Sequence, residues 1–128
     1  MAVKLLIVDD DRATLLAMEA YFSKKNYDVT CFENGLEALK LFNQDAPVAD
    51  LLITDIVMPE IGGVALISIT RKKYPGMPII AITGYGEHPE LLATEATADI
   101  VLKKPIELAE DEKHVCLLLG GDEDSCKP

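Results

Sequence analysis

Two short apolar runs in this chain end in acids. Leu51-Leu52-Ile53-Thr54 runs into Asp55, and Val3-Lys4-Leu5-Leu6-Ile7-Val8 runs into Asp9-Asp10-Asp11. A run apolar on both faces is the pattern of a strand buried on both sides of a parallel sheet. Open α/β sheets place their ligands beyond the carboxyl ends of such strands. Asp9, Asp10 and Asp55 are therefore expected to converge on one sheet edge. Gathered carboxylates raise one another's pKa, and burial adds to the cost. A hard divalent cation relieves both, and an all-oxygen donor set suits Mg²⁺ or Mn²⁺ better than zinc.

Two further strand ends face the same rim. Met77-Pro78-Ile79-Ile80-Ala81-Ile82 delivers Thr83, and Asp99-Ile100-Val101-Leu102 delivers Lys103-Lys104-Pro105. A carboxylate can act as a nucleophile towards phosphorus, forming an aspartyl phosphate. An ammonium group, a hydroxyl and a bound cation are what the transferring oxygens require. Taken singly, each residue has a plainer reading. Asp55 would serve as a helix cap or loop acid, Asp9-Asp10-Asp11 as turn and capping chemistry, Thr83 as a strand-end hydroxyl, and Lys104 as a surface charge. Their joint placement at strand ends favours the chemical reading.

The intervening stretches supply helices. Asp11 suits an N-cap for a helix carrying Leu15, Leu16, Met18, Ala20, Tyr21 and Phe22, with Lys24-Lys25-Asn26 at its end. Tyr27–Phe32 alternates as a peripheral strand. Asn34-Gly35 opens a second helix before Pro47, and Gly62-Gly63 opens a third that stops at Pro75-Gly76. A fourth is expected from about Pro89 to Ala96 and a fifth from Ile106 to about Leu118. Five strands alternating with five helices predict a doubly wound parallel sheet. One domain is expected over residues 1–119, with 120–128 as a disordered tail.

Composition excludes several classes. The net charge of −10 argues against a nucleic-acid surface. No apolar run approaches the ~20 residues of a membrane span, and the apolar start is too short for a signal peptide. Cys31, Cys116 and Cys126 form no CxxC pair, so they are expected as incidental thiols of a cytoplasmic protein.

The stretches Leu6–Asp11, Leu52–Pro59, Ile80–Thr83 and Lys103–Pro105 together resemble the receiver domain of two-component response regulators. The likeness extends from about Lys4 to Leu118. It implies the flavodoxin-like strand order 2-1-3-4-5. It further implies that Asp55 accepts a phosphoryl group from a phosphohistidine of a sensor histidine kinase or phosphotransfer protein. Asp10 and Asp55 would hold Mg²⁺ with the backbone carbonyl of Val57, and Asp9 would act mainly through water. Thr83 would be the switch hydroxyl, Lys104 the phosphate-contacting lysine, and the Lys104–Pro105 bond cis. Such a domain catalyses only its own phosphorylation and dephosphorylation and is not counted as an enzyme. Its output is an unknown downstream protein, or a homodimer through the fourth helix, fifth strand and fifth helix.

The chain departs from the family pattern at Val101, where an aromatic is usual, at Gly84 for a small Ala, and at Thr97 for Gly. Two other readings stand beside the switch. One is a Mg²⁺-dependent aspartyl-phosphate phosphohydrolase; Val57, where those enzymes commonly carry a second acid, counts against it. The other is a receiver-like module that works without phosphorylation; the intact acids and lysine count against that.

Overall fold

A computed structural model describes residues 2–43, 48–58, 62–84, 98–121 and 126. The strands are β1 (Lys4–Val8), β2 (Asp28–Phe32), β3 (Leu51–Asp55), β4 (Ile79–Thr83) and β5 (Ile100–Lys103). All pair in parallel in the order β2-β1-β3-β4-β5. The helices are α1 (Arg12–Lys24), α2 (Gly35–Leu41), α3 (Gly63–Lys73) and α4 (Leu108–Leu118). The helix expected at 89–96 lies outside the described residues, as do Pro47 and Thr97; α4 is the helix expected as the fifth.

Side chains of a strand alternate between the two faces of the sheet, so one apolar run feeds two cores. Leu6, Val8, Leu52, Ile79 and Ala81 pack on one face with Ala38 and Phe42 of the α2 side and Leu66 and Ile67 of α3. Leu5, Ile7, Ile53, Ile80 and Ile82 pack on the other with Leu15, Met18 and Phe22 of α1 and Val115 of α4. Helices on both faces cover β1, β3 and β4, which is why these strands read as continuous apolar runs. Every residue of β3 and β4 is buried.

The caps follow the sequence. Asp11 accepts from the Ala13 N–H at 3.2 Å and the Thr14 hydroxyl at 2.6 Å, and Asn34 Oδ1 accepts from the Glu37 N–H at 2.9 Å. Boundaries shift slightly: α4 begins at Leu108 rather than Ile106, because the Lys-Pro turn and Glu107 precede its first turn.

The cysteines require a correction. Cys116 and Cys126 form a disulfide, their Cα atoms 5.5 Å apart, leaving Cys31 as the free thiol among the described residues. Cys126 is buried, so this point of the expected tail is fastened to α4. Residues 122–125, 127 and 128 lie outside the described residues. The bond is reached through a turn, not through a short motif spacing. Gly120 (φ +96°) donates to the Leu117 carbonyl and Gly121 to the Cys116 carbonyl, the two hydrogen bonds of a Schellman cap.

Candidate phosphoacceptor site

The register carries the acids together. Val8 pairs with Thr54, so the next residue of each strand, Asp9 and Asp55, emerges side by side. Ile82 pairs with Asp55 and Thr83 with Lys103, which sets Thr83 and Lys104 one step further along the rim. The Lys104 N–H donates to the Thr83 carbonyl at 2.8 Å, fixing the point where the chain leaves β5. The Lys104–Pro105 bond is cis, as the family likeness implies.

Asp9 and Asp55 are buried, whereas Asp10 is exposed. Carboxylate oxygens of all three lie within 4.8 Å of one another. Lys104 Nζ reaches into this group, 3.3 Å from Asp55 Oδ2 and 3.4 Å from Asp9 Oδ2. Asp9 Oδ1 accepts from the Asp11 N–H at 2.8 Å, while its buried Oδ2 makes no hydrogen bond among the described residues and meets Lys104 only as an ion pair. Burial first, and the charge of Asp9 second, push the Asp55 carboxyl up to about 7 despite Lys104. Burial likewise raises Asp9, only partly offset by the Asp11 N–H and Lys104. Burial works to depress Lys104, but the two carboxylates outweigh it and raise the ammonium above its ordinary value. One ammonium does not neutralise this cluster. Its oxygen donors, one of them buried without a hydrogen bond, fit a further hard cation.

Thr83 is buried at the end of β4, its hydroxyl 3.5 Å from the Leu102 carbonyl. Among the described residues no hydrogen bond joins it to an acid. Val57 follows the strand on the surface, 59% exposed. Gly63 is a site residue that the sequence reading used only to start a helix. Its N–H donates to the Ile56 carbonyl at 2.8 Å, and a Cβ there would overlap the Asp55 carbonyl. The Gly62-Gly63 pair was the available signal, since close backbone approach demands glycine.

The sequence matches the profile of the response regulator receiver domain over residues 5–115. The chain belongs to the response regulator receiver domain family. Among curated relatives, this receiver domain is 35% identical to the transcriptional regulatory protein GlrR of Escherichia coli K12 over 80% of the chain and 23% of that protein. It is 34% identical to the response regulator MprA of Mycobacterium ulcerans over 86% of the chain and 47% of that protein. The chain thus spans less than half the length of these curated relatives. Among solved structures, a response regulator receiver protein of Sinorhizobium medicae superposes with a TM-score of 0.82 at 28% identity, covering 92% of this chain and 94% of that one. A CheY-like receiver domain protein of Methanospirillum hungatei gives 0.83 at 26%, covering 98% and 97%. Two-component signalling is the class of work to which this receiver domain belongs. Among the described residues no helix is long and apolar enough to cross a membrane.

Proposed function

We propose that this receiver domain accepts a phosphoryl group on Asp55 from a phosphohistidine of a sensor kinase or phosphotransfer protein in the cytoplasm. The observation that carries the reading is the convergence of Asp9, Asp10, Asp55 and Lys104 from three strand ends. In the transfer, an Asp55 oxygen forms the new P–O bond as the imidazole P–N bond breaks, and the imidazole keeps the electron pair. Phosphoryl transfer demands mainly alignment and neutralisation of charge. Lys104 would take one phosphoryl oxygen, and Thr83 would turn its loosely held hydroxyl to another. Asp10, Asp55 and the Val57 carbonyl would hold Mg²⁺ or Mn²⁺, with Asp9 acting through water. The bound ion supplies positive charge against the acids and the incoming oxygens.

Beside Lys104 lies a cleft of about 550 Å³ between α1 and the turn into α4, lined by Ala13, Ala17, Met18, Pro105 and Ile106. An apolar cleft next to the acceptor suits the helix that carries the donor histidine. Output would pass through β5, α4 and the helix expected at 89–96, to a downstream protein or a second copy. Val101, 39% exposed on β5, would form part of that face. The domain would turn over nothing but its own phosphate.

Incubation with acetyl phosphate and Mg²⁺ should add one phosphate to the intact mass, and Asp55→Asn should abolish the addition. Turnover of a generic phosphate ester would favour the phosphohydrolase reading instead. Partner binding unaltered by phosphodonor would favour the phosphorylation-independent one.

A further inference from the structure

The end of α4 is built around two sulfurs that the phosphoacceptor chemistry does not use. The Schellman cap returns the chain over the helix end and carries Gly121 between them. A Cβ on Gly121 would lie 2.5 Å from Cys126 Sγ and 2.7 Å from Cys116 Sγ, with the Cys116 carbonyl oxygen at 3.0 Å. Real Cβ atoms do not approach sulfur so closely, so the closed bond requires glycine here. Gly120, at φ +96°, is the left-handed residue that the same cap demands. Two glycines thus shape the backbone for the bond, and a cysteine 10 residues beyond Cys116 completes it.

The third cysteine is set apart. Cys31 lies on β2, and burial, together with Glu19, pushes its thiol up to about 12. A thiol so rarely ionised is a poor partner in exchange. The disulfide pairs Cys116 with Cys126 and leaves Cys31 outside it. In the cytoplasm proposed above, a disulfide of this kind is transient and redox-responsive rather than permanent; that step alone rests on the functional reading.

We propose that Cys116 and Cys126 form a reversible dithiol–disulfide site that fastens residue 126 to the carboxyl end of α4 and releases it on reduction. The reactant is a dithiol of the thioredoxin or dithiothreitol class. Its thiolate attacks one sulfur and breaks the Cys116–Cys126 bond, and its second thiol closes its own disulfide. The chain gains two electrons and two protons as two thiols, which the dithiol loses. Reduction would loosen the last turn of α4, giving this helix an input separate from Asp55.

The purified full chain is equilibrated across ratios of reduced to oxidised dithiothreitol, quenched in acid, denatured and alkylated. One alkylated cysteine is expected at the oxidising end and three at the reducing end, the two new thiols appearing in one two-electron transition. Amide exchange across residues 115–121 should rise at least ~10-fold on reduction, with β1, β3 and β4 unchanged. Gly121→Ala should move the transition towards the dithiol, while Cys116→Ser should exchange like the reduced chain whatever the buffer. Three alkylations under oxidising conditions would overturn the proposal. So would a single one that persists in excess reduced dithiol, exchange indifferent to reduction, or a transition unmoved by Gly121→Ala. Because thiols are counted without phosphodonor, failure here leaves the Asp55 reading intact, and failure of phosphorylation leaves this site intact.

Discussion

Lys104 Nζ stands 3.3 Å from Asp55 Oδ2, though the residues are 49 positions apart and leave the sheet from strands separated by β4. The same ammonium lies 3.4 Å from Asp9. It is the partial counter-charge of the resting acids, and in the proposed reaction it would meet a phosphoryl oxygen. Lys104→Ala should therefore separate two properties. Mg²⁺ affinity, measured by titration calorimetry, should change less than the response of β5 and α4 to a beryllofluoride mimic, followed by amide exchange. Equal loss of both would contradict this division of labour.

Divalent ion should stabilise the fold, since it would bind acids that are crowded and partly desolvated. Saturating Mg²⁺ is expected to add about 1–3 kcal/mol to unfolding free energy, and chelator should reverse the gain. Asp10→Asn should remove most of it. Melting curves identical with and without the ion would count against the metal assignment.

Asp111 offers a pH test away from the site. It faces the core one turn before Val115, fully buried, and neither carboxylate oxygen has a hydrogen bond among the described residues. Burial pushes its carboxyl up to about 7. A raised folded-state value means that the native protein holds the proton more tightly than the unfolded chain. The stabilisation is full below the unfolded value near 4 and is lost as pH rises to about 7. Asp111→Asn, which removes the titration, should gain on the wild type by roughly 2–4 kcal/mol between pH 4 and pH 8. A constant difference across that range would refute the assignment.

Gly63→Ala tests the close approach of α3 to β3. The added methyl must displace the Asp55 carbonyl or the helix, at an expected cost of about 2 kcal/mol or more in chemical denaturation. Loss of Mg²⁺ affinity should accompany it, because the displaced backbone carries Asp55.

The legible parts of the chain were those where one local pattern had one physical meaning. The buried runs ending at Val8, Asp55 and Thr83 could only be central strands, and Asp11 and Asn34 cap the helices they precede. Convergence of Asp9, Asp10, Asp55 and Lys104 followed from parallel strands sharing an edge. β5 was less sharp, since its side chains are only half-buried or exposed and leave its ends unmarked. Strand order came from the family likeness, because apolar periodicity says nothing about neighbours. The Cys116–Cys126 bond was missed because a spacing of ten residues is uninformative until the Gly120-Gly121 turn is seen to reverse the chain. Asp111 escaped notice for a related reason: an acid in a helix reads as solvated until the partner face is known.

The most direct measurement locates the phosphorus. Wild-type protein phosphorylated with Mg²⁺ and acetyl phosphate is reduced with borohydride, which converts an acyl phosphate at an aspartate to homoserine, and is sequenced by tandem mass spectrometry. Conversion at position 55, with Asp9 and Asp10 unmodified, is the expected result. Conversion at Asp9 or Asp10, or phosphate retained on a residue other than an aspartate, would contradict the account.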